Sequence, residues 1–280
     1  MKTLQSCEER EGYGLMLWED GSRYEGDWHN GKPNGSGISR TASGIKYNGS
    51  WRNGRMNGKG VYHTMAGATY EGEWKMNKRE GKGREHSANG TVYEGQFKGD
   101  LRHGYGQMTW PDGSTYEGEW RQGKQTGFGR YKNATMFYEG FWMDGDIHGE
   151  GKLCDTNGSE YKGRFRHDQA HGPGELRWAN QEHYKGLWHE GRMQGEGTMT
   201  YMNGTVYEGL FFNNVRHGQG REILSNNETY EGEWVDGLKH GQGRHSKPNG
   251  EVYEGEFVHG RYEGFGKLFY ADGRRYEGEF

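Results

Sequence analysis

Apolar and polar positions alternate along this chain in short runs that restart every 23 residues. The segment 104–126, GYGQMTWPDGSTYEGEWRQGKQT, is representative. Gly104, Gly106, Met108 and Trp110 fall on alternate positions, so they share one face of a predicted strand. Pro111-Asp112-Gly113 then predicts a turn. After it Tyr116, Gly118 and Trp120 alternate, with Glu117 and Glu119 facing the other way. Gln122-Gly123 returns the chain toward Gly127-x-Gly129. Each repeat therefore predicts one β-hairpin, and successive hairpins link into an antiparallel meander.

Twelve tyrosines hold this register: Tyr24, Tyr47, Tyr70, Tyr93, Tyr116, Tyr138, Tyr161, Tyr184, Tyr207, Tyr230, Tyr253 and Tyr276. Ten of the eleven intervals are 23 residues, and Tyr116 to Tyr138 is 22. The missing residue falls in the turn around Asn133-Ala134, where a deletion costs least. A fixed period of this size marks a stacked repeat array. The predicted fold is all-β: an elongated single-layer antiparallel meander of 23-residue hairpins. The array is expected over 12–280, about 11 complete repeats plus a C-terminal half repeat, behind a leader at 1–11. About 23 strands at roughly 4.8 Å spacing would make a rod on the order of 110 Å long.

The turns have their own signatures. Three residues past each Trp or Phe stands Gly, Asn or Asp, from Gly31 and Gly54 to Gly260, all types that tolerate positive φ. The other turn is mostly Asp-Gly or Asn-Gly and decays at Asn180-Gln181 and Asn226-Asn227. Paired strand glycines need a packing reason, because glycine weakens a strand. The expected reason is aromatic cover: Tyr116, Gly118 and Trp120 against Gly104 and Gly106, and Tyr253, Gly255 and Phe257 in the same roles near the C-terminus. In a single layer these aromatics should stay partly open on one side and offer an apolar stripe to a partner. The array stops at Tyr276–Phe280 without a polar cap, so the expectation is that the chain continues or that this edge meets a partner.

Composition tests this picture without changing it. Glycine is 53 of 280 residues and the apolar set only 30%, a balance that elsewhere suggests disorder. Forty aromatic residues, most in fixed register, argue against disorder. Cys7 and Cys154 form no CxxC pattern, so neither a disulfide framework nor a zinc site is indicated. No signal peptide and no apolar run of spanning length is found, which points to the cytosol or a cytosol-facing structure. A net charge of -4 argues against bulk nucleic-acid affinity.

Tyr-Glu-Gly-Glu-Trp/Phe, the x-x-Gly turn, and His-Gly-x-Gly at His103, His148, His171, His217 and His240 are specific motifs. With them the chain resembles the MORN (membrane occupation and recognition nexus) repeat family over nearly its whole length. That family includes junctophilins, radial-spoke and other axonemal proteins, protist cytoskeletal scaffolds, and targeting segments of lipid kinases and a lysine methyltransferase. The resemblance implies an interaction scaffold, often dimeric and often at cytoskeleton–membrane junctions, with lipid binding commonly ascribed to the repeats. Departures are Asn48, Lys162 and Lys185 in place of the first acid, and Phe141, Leu187 and Leu210 in place of the second.

Motifs that mimic chemistry resolve into the repeat. Gly26 to Lys32 and Gly118 to Lys124 approach a P-loop, but Pro33 and Gln125 replace the required Ser/Thr, and the context is strand–turn–strand. The N-x-S/T sequons lie in the turns that generate them. The His-Gly histidines lack close ligand spacing and are read as lining one hairpin edge. No catalytic residue, cofactor or metal site is assigned.

Charge is uneven. Between Trp28 and Tyr70 there is no Asp or Glu, while Lys46, Arg52, Arg55 and Lys59 are present. With Lys162, Arg164 and Lys185 these form the candidate anion- or partner-binding set, suited to an acidic protein segment or phosphoinositide headgroups. An acidic C-terminal third also allows antiparallel self-association, hence a homodimer. The function expected is a non-enzymatic scaffold for other proteins in a cytoskeletal or ciliary assembly. The rivals are a membrane tether on anionic phospholipid, and the regulatory segment of a larger enzyme.

Overall fold

The computed structural model describes residues 10–280, so Cys7 and most of the predicted leader 1–11 lie outside the described residues. The protein is all-β, with 24 strands and no helix among the described residues. Seven-residue tyrosine strands such as Thr115–Arg121 alternate with nine-residue glycine strands such as Lys124–Lys132. The chain divides into two units. Unit 1 is Met1–Ala134 with Trp142–Gly145, and unit 2 is Thr135–Phe141 with Asp146–Phe280. Each is an antiparallel meander of hairpins, as the alternation predicts.

The register shows what the repeat fixes. In unit 1 Tyr116 stands opposite Met108 on one side and Tyr131 on the other, and Gly118 lies between Gly106 and Gly129. Unit 2 repeats the pattern: Tyr184 lies between Leu176 and Met199, and Gly186 between Gly174 and Gly197. Beyond each Tyr-x-Gly the pairing to the next strand slips, as where Gly118 faces Gly129 but Glu119 faces Thr126. The slip is a β-bulge.

This bulge corrects the expected role of the paired glycines. The first of each pair is required by the backbone: Gly104 has φ of 63°, and a Cβ there would sit 1.9 Å from Gln96 Oε1. The second is required by packing. A Cβ on Gly129 would lie 2.5 Å from Tyr116 Oη. The tyrosine thus covers only the second glycine. Five tryptophans instead donate from Nε1 to that glycine's carbonyl, as Trp120 does to Gly106 at 3.2 Å, whereas Trp188 Nε1 finds no acceptor.

The aromatic stripe is also less open than expected. Tyr93, Tyr116, Tyr184 and Tyr207 are 0% exposed, and every Trp or Phe partner in the ladder from Trp74 to Phe257 is buried. Rings interlock edge to face and close the layer on themselves. Tyr116 meets Trp120 at 5.2 Å and Trp142 at 5.1 Å, and Tyr207 meets Phe211 at 5.1 Å and Trp234 at 5.3 Å. Each such pair contributes about 0.5–1.5 kcal/mol beyond area burial. The buried hydroxyls are satisfied locally, Tyr116 Oη donating to Glu119 O at 3.0 Å.

Hairpin tips are two-residue type I′ turns, with Asn53 at φ 50° and Gly54 at 75°. All eleven positions expected to tolerate positive φ adopt it. So does the residue before each, even where it is Met76, Gln122 or Glu190. Each tip is stitched to the preceding hairpin: Asn77 N donates to Met56 O at 3.0 Å and Gly191 N to Ala170 O at 2.9 Å. Where the third residue is Asn or Asp, its side chain returns a second bond, as Met56 N to Asn77 Oδ1 at 2.7 Å. No helix among the described residues is long and apolar enough to cross a membrane.

Candidate interaction surface

With the aromatics sealed, partner chemistry must come from the rows around them. The residue after each Trp or Phe pairs across the type I′ turn with the first residue of the next strand, so the two point together from the hairpin tip. In unit 1, past a first tip of His29 with Lys32, these pairs are Arg52 with Arg55, Lys75 with Lys78, Lys98 with Leu101, and Arg121 with Lys124. Every one is exposed. Among the described residues, none of these seven cations makes an ion pair or a side-chain hydrogen bond. Neighbouring strands lie about 4.8 Å apart, well inside a Debye length of about 8 Å at physiological salt, so their potentials add.

This row takes in only part of the sequence-predicted set. Arg52 and Arg55 form one tip. Lys59 lies on the charged face, opposite Glu73. Lys46 pairs with Arg40 and His63 at the far end of its strand, about 20 Å from Arg52 at the rise of an extended chain. In unit 2 Arg164 is held by Glu150 at 2.7 Å. Lys162 stands between Lys152 and Glu175, and Lys185 between Glu175 and Thr198. Lys75, Lys78, Lys98, Arg121 and Lys124 fall outside the sequence-predicted set because each occupies an ordinary repeat position. The signal available was the period itself: aligning the residue after each aromatic shows the column.

The aromatic face carries a second kind of charge, also missed. Arg79 Nη1 lies 2.5 Å from Glu85 Oε1, and Arg102 Nη2 lies 2.8 Å from Glu85 Oε2. Both guanidiniums lie over rings, Arg79 over Phe97 at 5.1 Å and Arg102 over Tyr93 at 5.3 Å. Burial pushes the Glu85 carboxyl up, but hydrogen bonds from Arg102 and Arg79 outweigh it and hold the pKa below the ordinary carboxylate value. Unit 2 builds the same clamp from Arg216, Glu222 and Lys239, with Arg216 4.1 Å above Trp234. In both, the arginine also donates to a tip carbonyl: Arg79 to Asp100 O at 2.6 Å, Arg216 to Gly237 O at 2.9 Å. These charges are internally spent, so they brace the tips and do not await a ligand.

Four of the five His-Gly histidines, His148, His171, His217 and His240, lie near the tips of unit 2, and His103 lies in unit 1. His171 and His189 rings lie 5.2 Å apart, and His148 and His167 6.0 Å apart. No group of His, Cys, Asp and Glu among the described residues could hold a metal ion. Cys154 is a half-buried free thiol.

The MORN repeat profile matches twelve consecutive stretches: 9–23, 24–46, 47–68, 70–92, 93–115, 116–135, 138–160, 161–182, 184–206, 207–229, 230–252 and 253–274. The chain belongs to the MORN repeat family. The MORN repeat is a non-catalytic module, and such repeats generally mediate protein or phospholipid interactions. No curated protein matches this MORN chain. Among solved structures it is similar to the TCP domain of Drosophila melanogaster SAS-4 (dCPAP) in complex with a proline-rich motif of Ana2, at 18% identity and TM-score 0.35. That match covers 56% of this chain and 90% of the other. The TCP10 domain of Danio rerio CPAP is 9% identical over 95% of this chain and 100% of its own, with TM-score 0.27. Scores this low carry no argument about function.

Proposed function

We propose that this MORN chain is a non-enzymatic structural scaffold that holds other proteins in a cytoskeletal or ciliary/axonemal assembly, at a cytoplasmic, cytoskeleton-associated location. The observation that carries this reading is the tip row of unit 1: exposed, unpaired cations one strand apart. A linear row of this density suits an extended acidic protein segment, whose carboxylates engage several tips at once. Lys59 adds to the same end of the unit, whereas Lys46, Lys162, Arg164 and Lys185 are proposed as secondary anion contacts.

The same row favours a second reading, a tether to anionic phospholipid, since each basic residue near an acidic membrane surface contributes about 1 kcal/mol. One experiment separates the two. The quadruple variant Arg52→Glu, Arg55→Glu, Lys75→Glu, Lys78→Glu is compared with the parent for binding a polyglutamate peptide and phosphatidylserine-containing vesicles. The scaffold reading expects salt-sensitive peptide binding lost in the variant and little vesicle binding. Vesicle binding alone would replace it with the tether, and indifference of both ligands to the variant would remove the row from function.

A further inference from the structure

The tips of unit 2 break the cationic rule in consecutive hairpins. Phe212 pairs with Val215 across one tip and Val235 with Leu238 across the next. All four are exposed, at 49%, 40%, 39% and 47%. Leu210, two residues before Phe212 on the same face, replaces the acid that other repeats carry and is exposed too. The His217 ring lies 5.7 Å from Phe212 and fills the space beside it. Nothing in the fold requires these apolar residues, because unit 1 forms the same turns with Arg and Lys.

We propose that this patch docks an amphipathic helix of a protein partner, apolar along one stripe and basic on its flanks. Three observations choose that occupant. Strand addition is closed to the tips, since their backbone donors are already used: Asn214 N bonds Met193 O at 3.1 Å and Gly237 N bonds Arg216 O at 2.9 Å. Affinity must therefore come from side chains, not from a β ladder. Successive tips lie two strands, about 9.6 Å, apart, close to the rise of about 10.5 Å between helix residues i and i+7. A helix laid along the tips would seat one apolar residue per hairpin. The third observation is charge. Glu196 stands opposite Leu210, Glu233 precedes Val235 by two residues on the same face, and Asp236 lies in the tip between Val235 and Leu238, while Arg221 stands between Glu208 and Glu231 and the cations Arg192 and Arg261 belong to the tips on either side. The surroundings favour a cationic flank. This surface is independent of the unit 1 reading, because it uses different residues and the opposite charge.

The test uses the full chain and labelled synthetic helices of about 14 residues, with leucines at i, i+4, i+7 and i+11 and either lysine or glutamate flanks. Fluorescence anisotropy should show the lysine-flanked helix binding about tenfold or more tighter than the glutamate-flanked one. The double variant Val235→Glu, Leu238→Glu should abolish that binding, and the milder Val235→Thr, Leu238→Thr should weaken it with the fold retained by circular dichroism. Met202→Glu, an exposed residue in a loop at the other end of the hairpins, should leave it unchanged. Equal binding of the two helices, or binding that survives Val235→Glu, Leu238→Glu, overturns the proposal. So does a concentration-dependent dimer in sedimentation velocity that the same variant dissolves, which would assign the patch to a second copy. Adsorption to neutral vesicles lost in that variant would assign it to lipid and likewise overturn it.

Discussion

Place the tip at Arg52-Asn53-Gly54-Arg55 in unit 1 beside the tip at Val235-Asp236-Gly237-Leu238 in unit 2. Both are type I′ turns with two positive φ values, both are stitched to the preceding hairpin, and both follow a tryptophan of the aromatic ladder, half-buried at Trp51 and buried at Trp234. One presents two guanidiniums and the other two aliphatic side chains. The backbone and the aromatic zipper are indifferent to the exchange, so stability is set by one group of positions and the chemistry offered outward by another. Four ways of breaking this separation follow.

The deepest damage should come from positions that both units share. Removing Glu85 or Glu222 leaves a pair of cations facing each other over rings. Glu85→Ala and Glu222→Ala should each cost about 3 kcal/mol in urea unfolding, and the more enclosed Glu222 should cost at least as much. A smaller loss in both would show that solvent already screens the clamps. Next come the covered glycines. Gly129→Val in unit 1 and Gly197→Val in unit 2 both drive a side chain into a tyrosine ring, and each should cost about 2–3 kcal/mol. Unequal losses would mean that the two scaffolds are not equivalent.

Alkaline titration probes the ladder in both units at once. Burial pushes Tyr47, Tyr93, Tyr184 and Tyr207 up to about 12 from the ordinary 10.0. The folded chain keeps these protons longer than the unfolded chain does. Their contribution to stability is therefore complete below pH 10 and is lost as pH rises toward 12. Tyrosinate absorbance and far-ultraviolet circular dichroism should change together in that window; free titration of these tyrosines near 10 with the sheet intact would contradict their burial. The smallest effect belongs to the tips. Exchanging Val235 and Leu238 for arginine, or Arg52 and Arg55 for valine, should move stability by no more than about 0.5 kcal/mol while altering what binds. A larger loss would show that tip chemistry and fold are coupled after all.

Much of the fold was legible because its constraints act within one repeat. The alternation of Tyr116, Gly118 and Trp120 fixes a strand face, and Gly, Asn or Asp at each tip announces the turn. The bulge was not legible, because two glycines separated by one residue look alike in a string while one answers to φ and the other to a tyrosine hydroxyl. Nor were the clamps: Arg79 and Glu85 resemble the solvated charges around them, and only the pairing shows that they face the rings. The candidate surface was half visible. A charge count found Arg52 and Arg55, but joining them to Lys75, Lys78 and Arg121 requires knowing that residues 23 apart fall on every second strand along one edge.

The bond from each tip to the hairpin before it has a consequence for how such a protein can change over generations. Because Gly54 N reaches Pro33 O and Asn77 N reaches Met56 O, the interval between tips is set by main chain and is blind to the side chains displayed. Duplicating one hairpin lengthens the row by one step without disturbing its neighbours, and deleting one shortens it. A lineage can thus rewrite its binding specificity as one edits text on a ruled line, letter by letter, with the ruling left untouched.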